Sequence, residues 1–347
     1  MRPADETPAR SAAPAASGQG ADRGATPQAG ERPGVAVVIP CHRVAKQVLG
    51  VIREIGPEVD RIYVVDDACP EGSGSHVEGA CDDPRVRVIR HERCRGVGGA
   101  TMTGYRAALA EGAGILVKLD GDGQMDPALI PRLLRPLRAG EADYAKGNRF
   151  YRLDDLRAMP RARLLGNALL SFLTKFSTGY WDLFDPTNGF TALHGRVAAE
   201  LPLERVSEDW FFESDLLFRL ATVRAVVAEI PMEARYGDEE SNLRIGRVVA
   251  PFLWRHLRNF GKRLFYGYFL RGFNVASVEL VLGLLLLAFG VGVGSYHWVN
   301  AIREDRLATS GTVMLAALPV IVGVQLLLAF LSYDMQHQPR EPLHRRL

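Results

Sequence analysis

The segment Lys118-Leu-Asp-Gly-Asp-Gly-Gln-Met-Asp-Pro127 sets two carboxylates, Asp120 and Asp122, two residues apart among glycines. On a turn after a strand, both can face one hard cation. Magnesium and manganese take oxygen ligands and leave positions for substrate phosphates. Glycine lets the backbone turn tightly and approach a ligand, and Gln124 can add an oxygen or orient a bound water. An acidic turn that only caps the next helix would need Asp126, ahead of Pro127, and neither Asp120 nor Asp122. A second acidic pair, Asp66-Asp67, closes another apolar run.

The elements that must position these acids are legible as a pattern. Val35–Pro40 and Ile62–Val65 are short apolar runs of the kind that form buried strands, and Val86–Ile89 and Ile115–Leu119 read as a third and a fourth strand. Between them, residues 44–56 and 98–112 carry helical spacing, and Pro127–Leu137 is a helix with Asp126 as its N-cap. Strands alternating with helices predict an α/β fold with a mostly parallel sheet. In such sheets ligands bind outside the carboxyl ends of the strands, which is where both acidic pairs fall.

A net charge of +2 over 347 residues gives no basic face for nucleic acid, and no nucleic-acid partner is expected. The four cysteines, Cys41, Cys69, Cys81 and Cys94, have no zinc or redox spacing and read as free thiols. Residues 1–33 are rich in Ala, Pro, Gly, Arg and Ser without an apolar stretch, so they read as a disordered tail rather than a signal peptide. The glycines at Gly96–Gly99 read as tight-turn packing, because neither a P-loop lysine nor a Rossmann spacing is present. His42, His91 and His194 have no ligand spacing and read as surface or satisfied core residues.

Beyond residue 247 the chain changes character. Residues 248–272 interleave Phe, Trp, Leu and Tyr with Arg255, Arg258, Lys262, Arg263 and Arg271, the composition of amphipathic juxtamembrane helices. Two uncharged apolar runs follow, Leu280–Tyr296 and Leu307–Tyr333, within expected transmembrane helices at 273–299 and 307–333. Basic flanks before the first and after the second, at Arg340, Arg345 and Arg346, set the orientation. By the positive-inside rule, the domain at 34–247 and the basic tail at 334–347 lie in the cytoplasm, as would the N-terminus.

Val37-Val-Ile-Pro40, Val64-Val-Asp-Asp67, Gly96–Gly104 and Asp120–Pro127 follow the order seen in family 2 glycosyltransferases of the GT-A fold, which this chain resembles over roughly residues 35–245. The aspartate motif, Gly147-Asn-Arg149, Asp185-Pro-Thr-Asn-Gly-Phe190 and Arg235-Tyr-Gly-Asp-Glu-Glu-Ser241 look like the dolichol-phosphate mannosyltransferase and bactoprenyl glucosyltransferase branch.

The resemblance implies a membrane-anchored, inverting enzyme. It would move one sugar from a UDP- or GDP-linked donor to a polyprenyl phosphate, for cell-envelope glycans or protein glycosylation. It implies that Pro40, Asp66 and Asp67 line the nucleotide pocket. Asp120, Asp122 and Gln124 would hold Mg2+ or Mn2+, Arg149 would face a phosphate, and Arg235 and Ser241 would close over the site. Glu213 would contact the sugar or order a helix, or act as a base if the acceptor were a hydroxyl. A flippase partner and a homo-oligomer are consistent with the same resemblance.

Two departures stand out: Ile39-Pro-Cys-His-Arg-Val44 lacks the family's base-contacting acid, and Asn242 replaces a frequent lysine. A polyprenyl phosphate is already anionic and needs no general base, only cations to relieve repulsion. A saccharide or other lipid hydroxyl acceptor is the competing reading, and a non-catalytic GT-A membrane scaffold is a third. Processive synthesis is disfavoured, because the Gln-x-x-Arg-Trp motif is absent.

Overall fold

The computed structural model describes residues 33–151, 161–233 and 245–347. Its strands are β1 (Val35–Cys41), β2 (Arg61–Asp66), β3 (Val86–Arg90), β4 (Ile115–Lys118), β5 (Tyr144–Asn148), β6 (Thr191–His194) and β7 (Val227–Pro231). They form one sheet in the order β3-β2-β1-β4-β6-β5-β7. Among them β6 alone runs against its neighbours, β4 and β5. The other pairings are parallel, as the alternating pattern requires.

The helices are α1 (Val48–Arg53), α2 (Ser73–Ala80), α3 (Gly96–Ala110), α4 (Ile130–Arg138), α5 (Arg161–Thr178), α6 (Gly195–Ala199), α7 (Phe212–Thr222) and α8 (Ile245–Leu264). Successive residues of β1 point to opposite faces. Val35, Val37 and Ile39 pack with Val51, Ile52, Leu133 and Leu134 from α1 and α4. Ala36 and Val38 pack with Met102, Tyr105, Leu216 and Leu217 from α3 and α7. Cover on both faces explains why β1 reads as an unbroken apolar run.

Pro40 sits inside this central strand, opposite Val65. Its place is tolerable because β1 pairs with β4 only as far as Val38, whose carbonyl accepts from Leu119 N–H. The missing proline donor faces a neighbour that has already ended.

Local structure departs from expectation at two glycine-rich or proline-marked points. Gly96–Gly99 packs tightly as read, but as the first turn of α3, which starts two residues ahead of the expected helix. A side chain on Gly98 would collide with the Ser207 carbonyl, so the glycine lets the 207–209 loop lie directly on the helix. Pro127–Leu129 is a short 3-10 turn feeding α4, and Asp126 caps it through Ala128 N at 3.0 Å.

The two apolar segments form long helices, α9 (Val275–Arg303) and α10 (Ser310–Gln336), each long and apolar enough to cross a membrane. They pack along each other closely; a side chain on Gly323 would lie 2.9 Å from the Gly283 carbonyl. The basic aromatic region expected over 248–272 is α8, continued by a π-helical turn at Phe265–Leu270.

Two buried carboxylates tie the hairpin to the domain. Asp334, near the end of α10, accepts from Arg263 (2.6 and 3.0 Å), Trp181 Nε1 (2.9 Å) and Tyr268 Oη (2.5 Å). Asp143, beside the start of β5, accepts from Leu343 N (2.7 Å), His344 N (2.9 Å) and His344 Nδ1 (2.7 Å). The C-terminal segment is therefore strapped to the sheet. The disordered tail expected over 1–33 lies outside the described residues apart from Pro33.

Candidate active site

The carboxyl ends of β1, β2, β4 and β5 share one sheet edge, and because β6 is reversed its leading loop joins them there. That edge collects Asp66-Asp67, Asp120–Gln124, Asn148-Arg149 and Asp185–Phe190. It lies outside the boundary between β1 and β4, where the strand order reverses, the usual place for a ligand in an open α/β sheet. Pro40 belongs to the same edge, buried in β1.

The first acidic pair is buried. Asp66 accepts from Cys69 N (2.7 Å) and Gly74 N (2.6 Å), which fixes the loop into α2. Asp67 accepts from His91 Nδ1 (2.7 Å) and Arg95 N (2.8 Å) through one oxygen, and from Gly96 N (2.7 Å) and Cys94 Sγ (3.1 Å) through the other. Burial alone would raise the Asp67 carboxyl, but these donors hold it below its ordinary value. His91 is a satisfied residue, its other nitrogen meeting Thr103 Oγ1 at 3.0 Å.

The second pair is more open. The Asp120 side chain is 28% exposed and pairs through Oδ1 with Lys118 Nζ at 2.8 Å. Asp122 is half-buried and accepts from Gln124 N at 3.0 Å, so the turn folds on itself and keeps both acids on one loop. Gly123 takes a left-handed backbone, φ +78°, which glycine adopts without strain. Among the described residues no cluster of three or more His, Cys, Asp or Glu encloses a metal. Two carboxylates on an open turn instead suit a cation that completes its shell with phosphate oxygens and water.

Behind the turn lies a charged layer that the sequence pattern did not reveal. Lys118 and Lys146 are both paired in register with Thr191 of β6, so they flank it in one row. Lys118 is 2% exposed and lies 3.8 Å from Glu213 Oε1. Burial would strip its proton, yet Asp120 and Glu213 hold its pKa above the ordinary value. Lys146 donates to the Asn188 carbonyl at 2.8 Å, and burial lowers its pKa. Glu213, in the first turn of α7, is 14% exposed, and burial pushes its carboxyl well above the ordinary range against the pull of Lys118.

Arg149 is clamped to the fully buried Asp185, with Nε to Oδ2 at 2.8 Å and Nη2 to Oδ1 at 3.0 Å. Burial would raise Asp185, but Arg149 holds it down. The arginine stays 26% exposed, at the rim of the same edge. Arg235 and Ser241 lie outside the described residues. Glu208 and Asp209 are engaged at the surface, by Arg95 and by Arg255 (2.7 Å) respectively.

Residues 36–201 match the family described as glycosyl transferase family 2. The chain is 31% identical over 203 residues to an undecaprenyl-phosphate mannosyltransferase of Micrococcus luteus, covering 57% of this chain and 82% of that protein. It is 30% identical over 202 residues to a polyprenol monophosphomannose synthase of Mycolicibacterium smegmatis, covering 56% and 75%. A UDP-N-acetylglucosamine–dolichyl-phosphate N-acetylglucosaminyltransferase of Methanococcus voltae is 26% identical over 216 residues, covering 58% and 86%. The fold is similar to that of Mycobacterium tuberculosis glucosyl-3-phosphoglycerate synthase, solved with Mn2+, UDP and glucosyl-3-phosphoglycerate. The TM-score is 0.50 and the identity 19%, over 67% of this chain and 80% of that one. The chain belongs to glycosyl transferase family 2 and is a glycosyltransferase.

Proposed function

We propose that this family 2 glycosyltransferase moves one sugar from a nucleotide-sugar to a polyprenyl phosphate at a membrane surface. The observation that carries the reading is the open Asp120–Asp122 turn at the end of β4, beside the strand-order reversal. The named activities of the relatives, which include mannosyl transfer to undecaprenyl phosphate, support the acceptor class.

In this reading Asp120 and Asp122, with Gln124 beside them, hold Mg2+ or Mn2+, whose chemistry is to stabilise the nucleoside diphosphate as it leaves. Pro40, Asp66 and Asp67 shape the wall of the nucleotide pocket; the carboxylates act through the loops they brace, since backbone donors already engage their oxygens. Arg149, fixed by Asp185, presents its exposed edge to a phosphate. Arg235 and Ser241 belong to the loop that closes over the site. A phosphate oxygen attacks the anomeric carbon opposite the leaving diphosphate, which inverts configuration. No general base is required, and Glu213 serves as counter-ion to the buried Lys118.

The domain organisation follows the charge pattern. The domain at 34–247 stays cytoplasmic, 248–272 lies at the surface, the two long helices span the bilayer, and both termini face the cytoplasm. A lipid-linked sugar made on that face needs a flippase to cross.

The test is transfer in membranes carrying the full chain, with a panel of radiolabelled nucleotide-sugars and undecaprenyl or dolichyl phosphate. Label should enter a mild-acid-labile glycolipid only when Mg2+ or Mn2+ is present. Label confined to other lipids or to saccharides would overturn the acceptor assignment.

A further inference from the structure

A lysine at the end of a central strand is out of place unless partners neutralise it, because an unpaired buried charge is costly. Lys118 has such partners on every side. Its Nζ lies 2.8 Å from Asp120 Oδ1 and 3.8 Å from Glu213 Oε1, and 5.1 Å from the centroid of the Phe212 ring. The loop from Asp185 to Phe190 closes over the pair. At Gly189, a methyl group would collide with Lys118 Nζ and sit 3.0 Å from Asp120 Oδ2 and 3.3 Å from Met125 Cε. That loop is itself anchored, because Lys146 Nζ holds the Asn188 carbonyl at 2.8 Å. An exposed ion pair can exchange its partners for water; the lysine end of this one is walled in by Gly189, Phe212 and Met125.

We propose that Lys118 is a positioning residue of the donor site, pinning Asp120 so that its carboxylate meets a divalent cation in one orientation, with Glu213 and Gly189 holding Lys118 in place. This rests on the reading of Asp120 and Asp122 as the metal pair. Carboxylates that bind metals are themselves held by hydrogen bonds, and loss of the holder typically weakens metal binding or activity by about 10- to 100-fold. Gly189 then has a specific task. It is the residue without a side chain that leaves room for the ammonium between the loop and Asp120.

The experiment is Mn2+ binding to the full-length chain in detergent, followed by the electron paramagnetic resonance of free Mn2+, with UDP and separately with GDP. Thermal melting checks the fold of each variant. The wild type should bind Mn2+ with one of the nucleotides. Lys118→Met should weaken that binding by about 10- to 100-fold, and Lys118→Arg should recover most of it. Gly189→Ala keeps the lysine but displaces its flexible end, so it should weaken Mn2+ binding like Lys118→Met while melting like wild type. If Lys118→Met does not fold, Gly189→Ala decides. Wild-type Mn2+ affinity in the folded variants would overturn the positioning role and leave the metal reading standing. No Mn2+ binding by the wild type with either nucleotide would overturn the metal reading, and this inference with it.

Discussion

The two acidic pairs look alike in sequence and are unlike in structure. Asp66-Asp67 and Asp120–Asp122 each follow a parallel strand and reach the same sheet edge. The first pair is 5% and 2% exposed, and its oxygens accept from backbone and side-chain donors of the loops around them. The second sits on an open turn, with Asp120 tied to a lysine through Oδ1. A carboxylate saturated by donors shapes a wall, whereas one with solvent access can take a cation. Strand-end position alone does not separate the two; burial does.

The largest effect that could break this contrast is on turnover. Asp122→Ala should lower transfer by at least about 10²-fold, on the scale of losing a group that stabilises developing charge, and should leave the melting temperature unchanged. The reverse pattern belongs to the first pair. Asp67→Ala strands Arg95 N and Gly96 N in a partly buried loop and should cost about 2 kcal/mol of stability in denaturant unfolding. If both variants lost stability equally and activity equally, the division of roles would fail.

A smaller, pH-dependent effect separates the domain's acids from its buried histidine. His256 is 2% exposed, donates or accepts at Ser177 Oγ (2.9 Å), and burial lowers its pKa from 6.5 to about 4. A histidine held neutral in the fold stabilises fully above its unfolded value and loses that contribution as pH falls from about 6.5 towards 4, by up to ~3 kcal/mol. Stability measured across that window should decline, and His256→Phe should reduce the slope, with His194, whose pKa burial also lowers to about 4, supplying the remainder. Asp67, held below its ordinary value of 3.8, loses its share only beneath that value, so the two windows do not overlap. The smallest effect is at the surface. Glu208 and Arg95 are 51% and 34% exposed, and Glu208→Gln should cost no more than about 1 kcal/mol with nucleotide binding unchanged.

How much of this was legible in the sequence depends on how local each feature is. β1 and β2 could be read because strands buried on both faces are nearly continuous apolar runs, while β3 and β4 kept enough apolar residues around Arg87 and Lys118 to show as strands. The Asp126 cap and the two long apolar helices are likewise written in adjacent residues. β5 could not be read, because Tyr-Ala-Lys-Gly-Asn carries a buried lysine and a glycine where apolar residues are expected. β6 is four residues long and reversed, and it is what brings Lys118, Thr191 and Lys146 into one row. The Arg149–Asp185 clamp and the Lys118–Glu213 contact join residues far apart in the chain, beyond any spacing rule. The C-terminal strap read only as a basic tail, because its partner, Asp143, lies 201 positions upstream of His344.

The most direct test of the central claim is calorimetric titration of UDP and of GDP into the full-length protein, with and without Mn2+, for wild type, Asp122→Ala and Asp67→Asn. Mn2+ should strengthen nucleotide binding in the wild type and in folded Asp67→Asn, and should have no effect in Asp122→Ala. Mn2+-enhanced binding that survives in Asp122→Ala would contradict the assignment of the second acidic pair as the metal site.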